Sequence, residues 1–594
     1  SLPPSLLYFV GAALIPFLQG RARQGFALAL PAFAFLNLSH LSRGLHWRVD
    51  LLDFELVLGR VDSWSLVFLH VFTLLSFIGI LYIIRENRAL DLSGGLLYAG
   101  AAMGVVLAGD LLSLFFFWEL LTLGALLCLL SGRSSASGRA ALRYLLVHVF
   151  GGVVLLAGLV LHLAAGGGST FDKIELSGPG PWLIFLGIGI NCAWPLLGAW
   201  VTDTYPEASI GGTVFMATFT TKTAVYVLAR VFPGEPALVG IGVAMAVIPI
   251  FYAVIENDLR RVLAYSLINQ VGFMVVGVGL GTALSLNGTA AHVYCDTLFK
   301  ALLFMSVGSV IYRTGKSKAT ELGGLCRSMP WTCLFCCIGA ASISAFPLFS
   351  GFASKSMIMS AVATEGRAYV WLALLFASAG VFHHAGIKIP FFAFFSHDSG
   401  IRCKEAPLNQ LLAMGLASAL CLLIGIAPQA TLYPMLPNPS ASYEPYTLGH
   451  VADQLALLFF SALAFTLLML AGLYPAEIRS TNLDADWLYR RGGSALYRLA
   501  DKSLNGLNSA SSRFFLGRVV KGIVHFFEAG LPRVVWFALT PIWSLLGHDT
   551  ARIREQRRDL FLRAAAGAFP VGLTACCALI LLGLLAIFFY DVGK

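Results

Sequence analysis

The sequence is poor in charge. Only 12% of its 594 residues are Asp, Glu, Lys or Arg, whereas 58% are hydrophobic and the mean hydropathy is +0.80. Soluble domains carry about 25% charged residues, so this composition excludes an ordinary soluble protein. Apolar runs near the ~20 residues that cross a bilayer recur along the whole chain, which predicts an integral membrane protein.

The sequence also lacks the motifs of nucleotide-binding and metal-dependent enzymes. It has no Walker A motif, no G-x-G-x-x-G between a strand and a helix, and no metal-ligand spacing. Its 11 cysteines are scattered, and Cys333 and Cys336 form a C-x-x-C within an apolar run, where packing is a simpler role than a redox or zinc site. We therefore expect no cofactor, no metal and no catalytic chemistry of its own, so any redox chemistry would belong to partner proteins.

The hydropathy pattern predicts an all-α polytopic membrane protein with about sixteen transmembrane helices. The first run lacks a basic flank and a small-residue cleavage site, so we expect it to be a retained helix. The predicted spans are 3–20, 25–42, 62–84, 93–109, 112–131, 142–164, 181–200, 209–231, 235–254, 262–281, 288–312, 331–358, 369–396, 408–427, 452–475 and 564–590.

The net charge of +9 does not indicate nucleic-acid binding, because the basic residues concentrate in alternate loops. One set of loops holds Arg21, Arg23, Arg85, Arg88, Arg133, Arg139, Arg143, Arg260, Arg261, Arg313, Lys316, Lys318, Arg327, Arg402 and Lys404. The opposite loops hold only Arg43, Arg48, Arg60, Lys173, Arg230 and Arg367. This positive-inside pattern predicts that both termini lie on the outer face of the membrane.

Three charged residues lie deep inside predicted spans. They are Glu119 in LLSLFFFWELLTLGALLCLL, Lys222 in TVFMATFTTKTAVYVLA and Lys355 in SISAFPLFSGFASKSMIM. A charge at the bilayer centre costs at least a few kcal/mol, so such residues line a polar path or pair with one another. Three of them in one polytopic chain predict a route for protons or ions.

Two segments of the chain resemble each other around a proline. Pro195 lies in CAWPLLGAW and Pro347 in SAFPLFSGF, each inside a predicted span. Proline breaks a membrane helix, which is tolerated only where neighbours or water satisfy the freed backbone groups. Paired interrupted helices in two halves are typical of internally repeated transporters with a midplane ion path. The alternative is a pair of kinks without function, which the adjacent Lys355 disfavours.

Five segments, in this order along the chain, carry a family resemblance: GDLLSLFFFWELLTLGA, WVTDTYPEAS with TKTAVY, ENDLRRVLAYSLINQVGF, HVYCDTLFKALLFM, and SMPWT with SISAFPLFSGFASKSMI. They resemble the antiporter-like subunits, the large membrane subunits shared by respiratory complex I, membrane-bound hydrogenases and Mrp-type Na⁺/H⁺ antiporters. The resemblance covers roughly residues 60–430. It implies two inverted five-helix repeats, each with a broken helix, joined by a central polar axis.

The resemblance also implies roles for particular residues. Glu119 corresponds to the glutamate of the fifth helix, Lys222 to the lysine of the eighth, and Lys355 to the charged residue of the twelfth, broken helix. His292 matches the first histidine of a motif that ends in Phe-Lys, here with Lys300. All four are implied to lie on the proton path, together with Lys300.

Two positions depart from the family pattern. Asn191 stands where the seventh-helix lysine usually partners the glutamate, and an amide cannot carry a proton as an ammonium does. The first half-channel is then weakened, or it works through a different pairing. Asp296 stands where a second histidine is frequent, one turn from His292 and Lys300 on the same helical face. An Asp296–Lys300 pair could replace a histidine relay, or form a local structural ion pair.

Further ionisable residues lie in ASAGVFHHAGIKIPFFAFF, an otherwise apolar run. His383 and His384 precede Lys388 by one turn, and this grouping predicts a continuation of the charged axis toward one surface. The alternative is that the histidines are packing residues. His148 shares a helical face with Tyr144, where either an interhelical hydrogen bond or a branch of the proton path is expected.

The C-terminal part has a different character. Aromatic and aliphatic residues alternate with Arg518, Lys521 and Arg533, which is typical of an interfacial amphipathic helix. This arrangement resembles the distal complex I subunit, whose lateral helix braces the neighbouring subunits, although a surface-lying tail without a partner is the alternative. The predicted segments are 1–92, N-terminal helices; 93–232 and 233–400, the two repeats; 401–475, two further helices; 476–563, the lateral amphipathic segment; and 564–594, a final transmembrane helix.

The sequence therefore predicts a proton-translocating, antiporter-like subunit of a multisubunit complex in a bacterial inner membrane. Mrp-type exchange of protons for Na⁺ is the first hypothesis, with other membrane subunits as partners. The alternatives are an energy-coupling subunit of a complex I-like or hydrogenase-like redox complex, a proton-coupled subunit for uptake of a solute such as inorganic carbon, or a largely structural scaffold. Nothing in the sequence distinguishes Na⁺ coupling from proton traffic alone, or fixes its direction.

Overall fold

The computed structural model describes residues 2–51, 54–473, 484, 486–526, 530–566, 575 and 578–586. It divides into two compact units, Ser1–Trp487 and Leu488–Lys594. Both consist almost entirely of helices, so the predicted all-α architecture is confirmed. The finer division of the chain into six segments stays a prediction.

The first unit begins with helices that are connected by short loops. The helices are α1 (Pro4–Leu14), α2 (Gly20–Leu38), α3 (Ser63–Ile83), α4 (Ala89–Leu107), α5 (Leu111–Leu130), α6 (Ser135–Ala164), α7 (Pro179–Asn191), α8 (Ala199–Thr204), α9 (Ile210–Thr218) and α10 (Thr220–Val231). They continue with α11 (Pro236–Ile255), α12 (Leu259–Leu280), α13 (Ala283–Thr314), α14 (Pro330–Ile343), α15 (Ser350–Thr364), α16 (Ala368–Val381), α17 (Lys388–Pro390), α18 (Leu408–Ile426), α19 (Pro428–Thr431) and α20 (Leu448–Leu470). Single 3-10 turns occur at Ile15–Phe17, Tyr205–Glu207, Ala319–Glu321, Leu325–Arg327 and Tyr433–Met435.

Within the described residues, 10 helices are long and apolar enough to cross a membrane. The two broken helices fall outside this number, because α7 has 13 residues and α14 has 14. The total of about sixteen spans therefore stays a prediction. Helices α12 and α13 are buried along almost their whole length, whereas α20 is largely exposed, so the centre of the unit lies at α12 and α13.

A β-hairpin lies between α2 and α3, where no regular structure was predicted. Strands β1 (Gly44–Leu51) and β2 (Phe54–Val61) pair antiparallel. The sequence pattern that could have indicated the hairpin is the alternation of apolar and polar residues in LHWRVDL and FELVLGRV, since side chains of a strand point to opposite faces in turn. Asp110 attaches the hairpin to the start of α5: its carboxylate accepts from Val57 N at 2.7 Å and caps the helix through Leu112 N and Ser113 N.

The two broken helices share one backbone geometry. Around Pro195, Ala193 and Leu196 have positive φ angles of 61° and 68°; 152 residues later, Ala345 and Leu348 have 57° and 73°. Four backbone hydrogen bonds recur at the same offset. In the first break they run from Cys192 N to Ile188 O, Ala193 N to Ile190 O, Trp194 N to Gly189 O and Leu197 N to Trp194 O. In the second break they run from Ser344 N to Ala340 O, Ala345 N to Ser342 O, Phe346 N to Ala341 O and Phe349 N to Phe346 O. The inverted arrangement of two five-helix repeats itself stays a prediction.

Two further spans are interrupted. Phe219 separates α9 from α10, and α16 continues into π-helical turns at Phe382–Ile387 and Phe391–Phe395 on either side of α17. π-Helical turns inside a helix are rare and occur frequently at functional sites. The first π-helical turn carries His383 and His384, and Lys388 follows it directly.

The second unit contains α21 (Asp486–Ser512, which begins two residues before the unit), a π-helical stretch at Arg513–Val520, α22 (Lys521–His525), α23 (Leu531–Leu545) and α24 (Thr550–Ala565). The predicted lateral segment is thus helical where it is described, while its position along a membrane stays a prediction. The predicted final span, 564–590, lies largely outside the described residues, of which 575 and 578–586 are helical.

Candidate functional site

A fully buried ion pair lies at the centre of the first unit. Lys222 Nζ of α10 is 2.8 Å from Asp296 Oδ2 of α13, and neither side chain is exposed. Burying a lone charge is prohibitively costly, so a buried charge needs a partner. Asp296 thus pairs with a lysine from another helix rather than with Lys300, which was the partner considered from the sequence.

The interruption between α9 and α10 gives Lys222 a second acceptor. Its Nζ donates to Ala217 O at 2.8 Å, near the C-terminal end of α9. The last carbonyls of a helix have no partner within the helix and carry partial negative charge. The break at Phe219 therefore creates a polar contact for an ammonium inside an apolar helix pair.

Lys355 uses the same arrangement at the second broken helix. Its Nζ donates at 2.9 Å to the carbonyl of Ile343, the last residue of α14, and lies 5.1 Å from the centre of the Phe273 ring. The side chain is 2% exposed. No carboxylate lies within ion-pair distance of Lys355 among the residues that the structure describes. A helix end and an aromatic face hold this lysine.

Lys388 is held at a third helix end. Its Nζ donates to the carbonyls of Ala253, Val254 and Glu256 at 3.2, 2.6 and 2.7 Å, where α11 finishes. His384 is fully buried one turn earlier, and its Nε2 makes no hydrogen bond with the residues that the structure describes. That this group continues the charged axis toward a surface stays a prediction.

Helix α13 contacts the surroundings of two of these lysines, Lys222 and Lys355. His292, Asp296 and Lys300 are spaced four residues apart and share one face of the helix. His292 Nδ1 lies 3.0 Å from Ser354 Oγ of α15, next to Lys355 in sequence. One turn on, the ion pair reaches α10, and after another turn Lys300 Nζ donates to Ser266 Oγ of α12 at 2.6 Å. The face thus makes successive polar contacts with three helices.

Residues 93–232, the predicted first repeat, hold their polar groups differently. Glu119 of α5 lies against α6, where a side chain at Gly152 would overlap its Oε1, and that buried oxygen makes no hydrogen bond to any residue that the structure describes. Asn191, the last residue of α7, is buried, and its Oδ1 likewise has no hydrogen bond among these residues. Within the described part of the chain, no lysine or arginine forms an ion pair with Glu119.

A cavity of about 530 Å³ lies beside Lys355, and it was not predicted from the sequence. It lies between α15, α16 and α20, and its polar lining comprises Lys355, Ser356, Ser360, Ser378, His450, Asp453 and Gln454. Gln454 Nε2 donates to Ser344 O at 3.1 Å, which ties α20 to the second break. The sequence pattern that could have indicated this cavity is the set of polar residues in the first turns of α20, a helix that lies beyond the region of family resemblance.

No metal site is evident among the described residues, because no group of three His, Cys, Asp or Glu side chains is placed to hold an ion. Cys333 and Cys336 lie on α14 as free thiols, both buried. The site therefore consists of ionisable side chains, hydroxyl groups and helix ends.

Comparison with known proteins identifies a family for the region that carries this site. Residues 108–383 match the family described as NADH:quinone oxidoreductase/Mrp antiporter, transmembrane. The match includes both broken helices, Glu119, Lys222, the polar face of α13 and Lys355. The predicted family resemblance is thus confirmed.

Individual relatives agree with this match. A Na⁺/H⁺ antiporter subunit of Alkalihalophilus pseudofirmus is 28% identical over 507 residues, which cover 74% of this chain and 63% of that protein. A chain of the Mrp complex from Dietzia sp. DQ12-45-1b has a TM-score of 0.64 at 20% identity, over 77% of this chain and 95% of that chain. A chain of respiratory complex I from Thermus thermophilus also has a TM-score of 0.64 at 20% identity, over 73% of this chain and 97% of that chain. These structural matches show that the fold is shared.

Proposed function

We propose that this chain conducts protons across a membrane, because residues 108–383 match the family of membrane subunits found in NADH:quinone oxidoreductases and Mrp antiporters. The first candidate is Mrp-type exchange of protons for a cation such as Na⁺, since one relative is named as part of a Na⁺/H⁺ antiporter. The observation that carries the proposal is the fully buried Lys222–Asp296 pair at the centre of the first unit. Ionisable residues inside a membrane are costly and mark ion paths and proton relays.

The proposed mechanism is hopping of protons between side chains and water. A proton held as the Lys222 ammonium is stabilised by Asp296 and by the Ala217 carbonyl. When a proton reaches Asp296, that stabilisation weakens, and the ammonium releases its proton to the next acceptor. Glu119 then acts as the modulating acid of the first half.

The polar face of α13 supplies the onward route in this proposal. His292 contacts Ser354 beside Lys355, and Lys300 contacts α12 through Ser266. Lys355 also lines the cavity that His450 and Asp453 border on the other side. We place the exit through this cavity, toward the face that the basic loops predict to be outer.

We further propose that the protein works within a multisubunit complex of a bacterial inner membrane, with both termini on the outer face. Two observations support this placement. The basic residues concentrate in alternate loops, and the structural matches include chains of an Mrp complex and of a respiratory complex I. Other membrane subunits are the expected partners.

A second candidate is an energy-coupling subunit of a redox complex. The TM-score with the complex I chain equals that with the Mrp chain, and a chain of an archaeal membrane-bound sulfane sulfur reductase matches at 0.64 over 77% of this chain. The subunits that purify with the protein separate the candidates. Small membrane subunits alone favour the antiporter, whereas iron–sulfur subunits favour the redox complex.

The test is proton and sodium flux in vesicles that contain the purified complex. We expect Lys222→Ala to reduce proton flux to the leak of empty vesicles and Glu119→Ala to reduce it less. Lys316→Ala, at an exposed loop position, is the matched control and should conduct normally. If neither Lys222→Ala nor Glu119→Ala changes any flux, the proposal is wrong.

A further inference from the structure

We propose that His148 of α6 is the proton relay of the first half and serves in place of the lysine that Asn191 replaces. It would pass protons between Glu119 and the start of α10, which carries Lys222. This inference rests on the proposed proton conduction and concerns only how the first half achieves it. Four contacts carry it.

The first contact is between Glu119 and the face of α6 that carries His148. The carboxyl group of Glu119 lies across α6 at Gly152, where any side chain would overlap Oε1. Residues four apart on a helix share a face, so Gly152 and His148 are neighbours on the surface that Glu119 packs against. Glycine at this position therefore leaves room for the carboxyl group one turn from the imidazole.

The second contact fixes which nitrogen of His148 accepts a proton. Nδ1 lies 2.9 Å from the carbonyl oxygen of Tyr144. A carbonyl oxygen only accepts, so Nδ1 carries the hydrogen and Nε2 presents a lone pair. The side chain is 1% exposed, and within the described part of the chain Nε2 makes no hydrogen bond. The histidine thus holds a buried acceptor near Glu119, whose Oε1 is also without a hydrogen bond to the described residues.

The third contact leads from His148 to the helix of Lys222. The Tyr144 ring stacks on the imidazole, with ring centres 3.7 Å apart. The Tyr144 hydroxyl lies 3.1 Å from Thr220 Oγ1, the first residue of α10 and two positions before Lys222. Tyr98 hydrogen-bonds the same threonine hydroxyl. Hydroxyl groups therefore link α6 to the beginning of the lysine helix.

The fourth contact holds the imidazole beside the first broken helix. Trp200 packs edge-on against His148, with ring centres 4.5 Å apart. Its Nε1 donates at 3.0 Å to the carbonyl of Ile190, the residue before Asn191. The two halves of the broken helix are joined by the same tryptophan that orients the histidine. His148 is thereby tied to the region of the missing lysine.

The proposed step moves one proton and needs no other reactant than water. The O–H bond of the Glu119 carboxyl group breaks, and an N–H bond forms at His148 Nε2, with water bridging the two groups. That N–H bond then breaks as the proton passes to the water and hydroxyl groups at Tyr144 and Thr220. His148 is then neutral again, and Glu119 regains its proton when the next one arrives.

The experiment measures proton flux of the intact complex in vesicles. We expect His148→Gln to lower the flux by about a hundredfold, because removal of a proton-transfer group costs rates of this size. His162→Gln, on the same helix, is the matched control and should conduct normally. The decisive variant combines His148→Gln with Asn191→Lys, which should restore flux by returning a cation to the family position.

Each outcome bears on the inference. Normal flux in His148→Gln, beside a loss in Lys222→Ala, would overturn the relay and leave the proposed function in place. A loss in His148→Gln that Asn191→Lys does not restore would assign His148 to structure. Normal flux in both His148→Gln and Lys222→Ala would overturn the proposed function itself.

A second pair of variants leaves His148 untouched, in case its replacement impairs assembly. Gly152→Ala pushes the Glu119 carboxyl group away from α6 and should also lower flux. Gly151→Ala, which meets only Ile190 at 3.2 Å, is the control. In infrared spectra, the carbonyl band that disappears in Glu119→Gln should shift in His148→Gln. An unshifted band, together with normal flux in Gly152→Ala, would contradict the relay.

Discussion

The two broken helices have the same backbone and different side chains. At an offset of 152 residues they share the positive φ angles and the backbone hydrogen bonds. Yet Lys355, buried against the end of α14, corresponds by this offset to Asp203, which forms an ion pair with Arg143 at a partly exposed position. One backbone arrangement thus holds a buried cation in one half and a surface ion pair in the other.

The comparison shows that the geometry of a helix break does not determine which ionisable side chain lies beside it. A break supplies unpaired carbonyls whatever its sequence, but only a suitably placed lysine turns them into a cation site. In the predicted second repeat, Lys355 and Lys388 are bound by helix-end carbonyls, and the α13 face contacts Lys222 through Asp296 and Ser354, the neighbour of Lys355, through His292. In the predicted first repeat, buried atoms of Glu119 and Asn191 have no hydrogen-bond partner among the described residues. We therefore expect the two halves to respond differently to equivalent substitutions.

The largest expected effect concerns the ion pair that joins the halves. Asp296→Asn leaves the Lys222 ammonium buried without its carboxylate, and breaking one partner of such a pair costs roughly 3–5 kcal/mol. Thermal unfolding of the purified complex should show the loss. The double variant Lys222→Met with Asp296→Leu should recover much of it, because both charges are then gone. Equal destabilisation by the single and double variants would contradict a coupled pair.

The next effect compares positions related by the 152-residue offset. Lys355→Ala should lower proton flux by about a hundredfold, the size typical of losing a group that transfers protons. Asp203→Ala should leave flux nearly unchanged, because a part-exposed ion pair contributes at most about 1 kcal/mol to stability. Flux measurements on both variants, normalised to the amount of assembled complex, provide the check. Equal losses would show that the two breaks have equivalent functions.

The helix breaks and the buried charges were predictable because each corresponds to a recognisable sequence pattern. A proline between small residues in CAWPLLGAW and SAFPLFSGF marks a helix end, and a lysine in an apolar run is conspicuous. The partner of Asp296 was not predictable, because periodicity shows which residues share a helical face but not which helix lies opposite. Lys300 is neighbouring in sequence, whereas Lys222 is 74 positions away and meets Asp296 only through packing.

The hairpin, the cavity and the helix-end contacts correspond to weaker sequence patterns or to none. The β-hairpin follows an apolar span, and its alternation was short enough to be taken as a loop. The cavity beside Lys355 depends on α20, which contributes His450 and Asp453 from beyond the family resemblance. The helix-end carbonyls that hold three lysines belong to the backbone, so no side-chain pattern could identify them.

A smaller effect is expected from a substitution that gives the first half the lysine implied by the family resemblance. Asn191→Lys alone should raise proton flux by a few-fold, since it places a second proton-carrying group beside the existing route. Asn191→Gln keeps an amide without charge and should leave flux unchanged, which makes it the control. The measurement is proton flux in vesicles across a range of driving forces. If Asn191→Lys leaves flux and Glu119 titration unchanged, the first half is not limited at this position.

The smallest effect tests the shared backbone alone. Leu196 and Leu348 both have positive φ, which costs a residue with a side chain roughly 1–2 kcal/mol. Glycine removes that strain but loses roughly 0.5–1 kcal/mol through its greater freedom in the unfolded chain. Leu196→Gly and Leu348→Gly should therefore each change the free energy of unfolding only slightly, and by the same amount. Both side chains are more than half exposed, at 69% and 54%, so lost packing should contribute little at either site. Thermal unfolding that differs clearly between the two variants would show that the breaks are matched in geometry but not in the energy that maintains them.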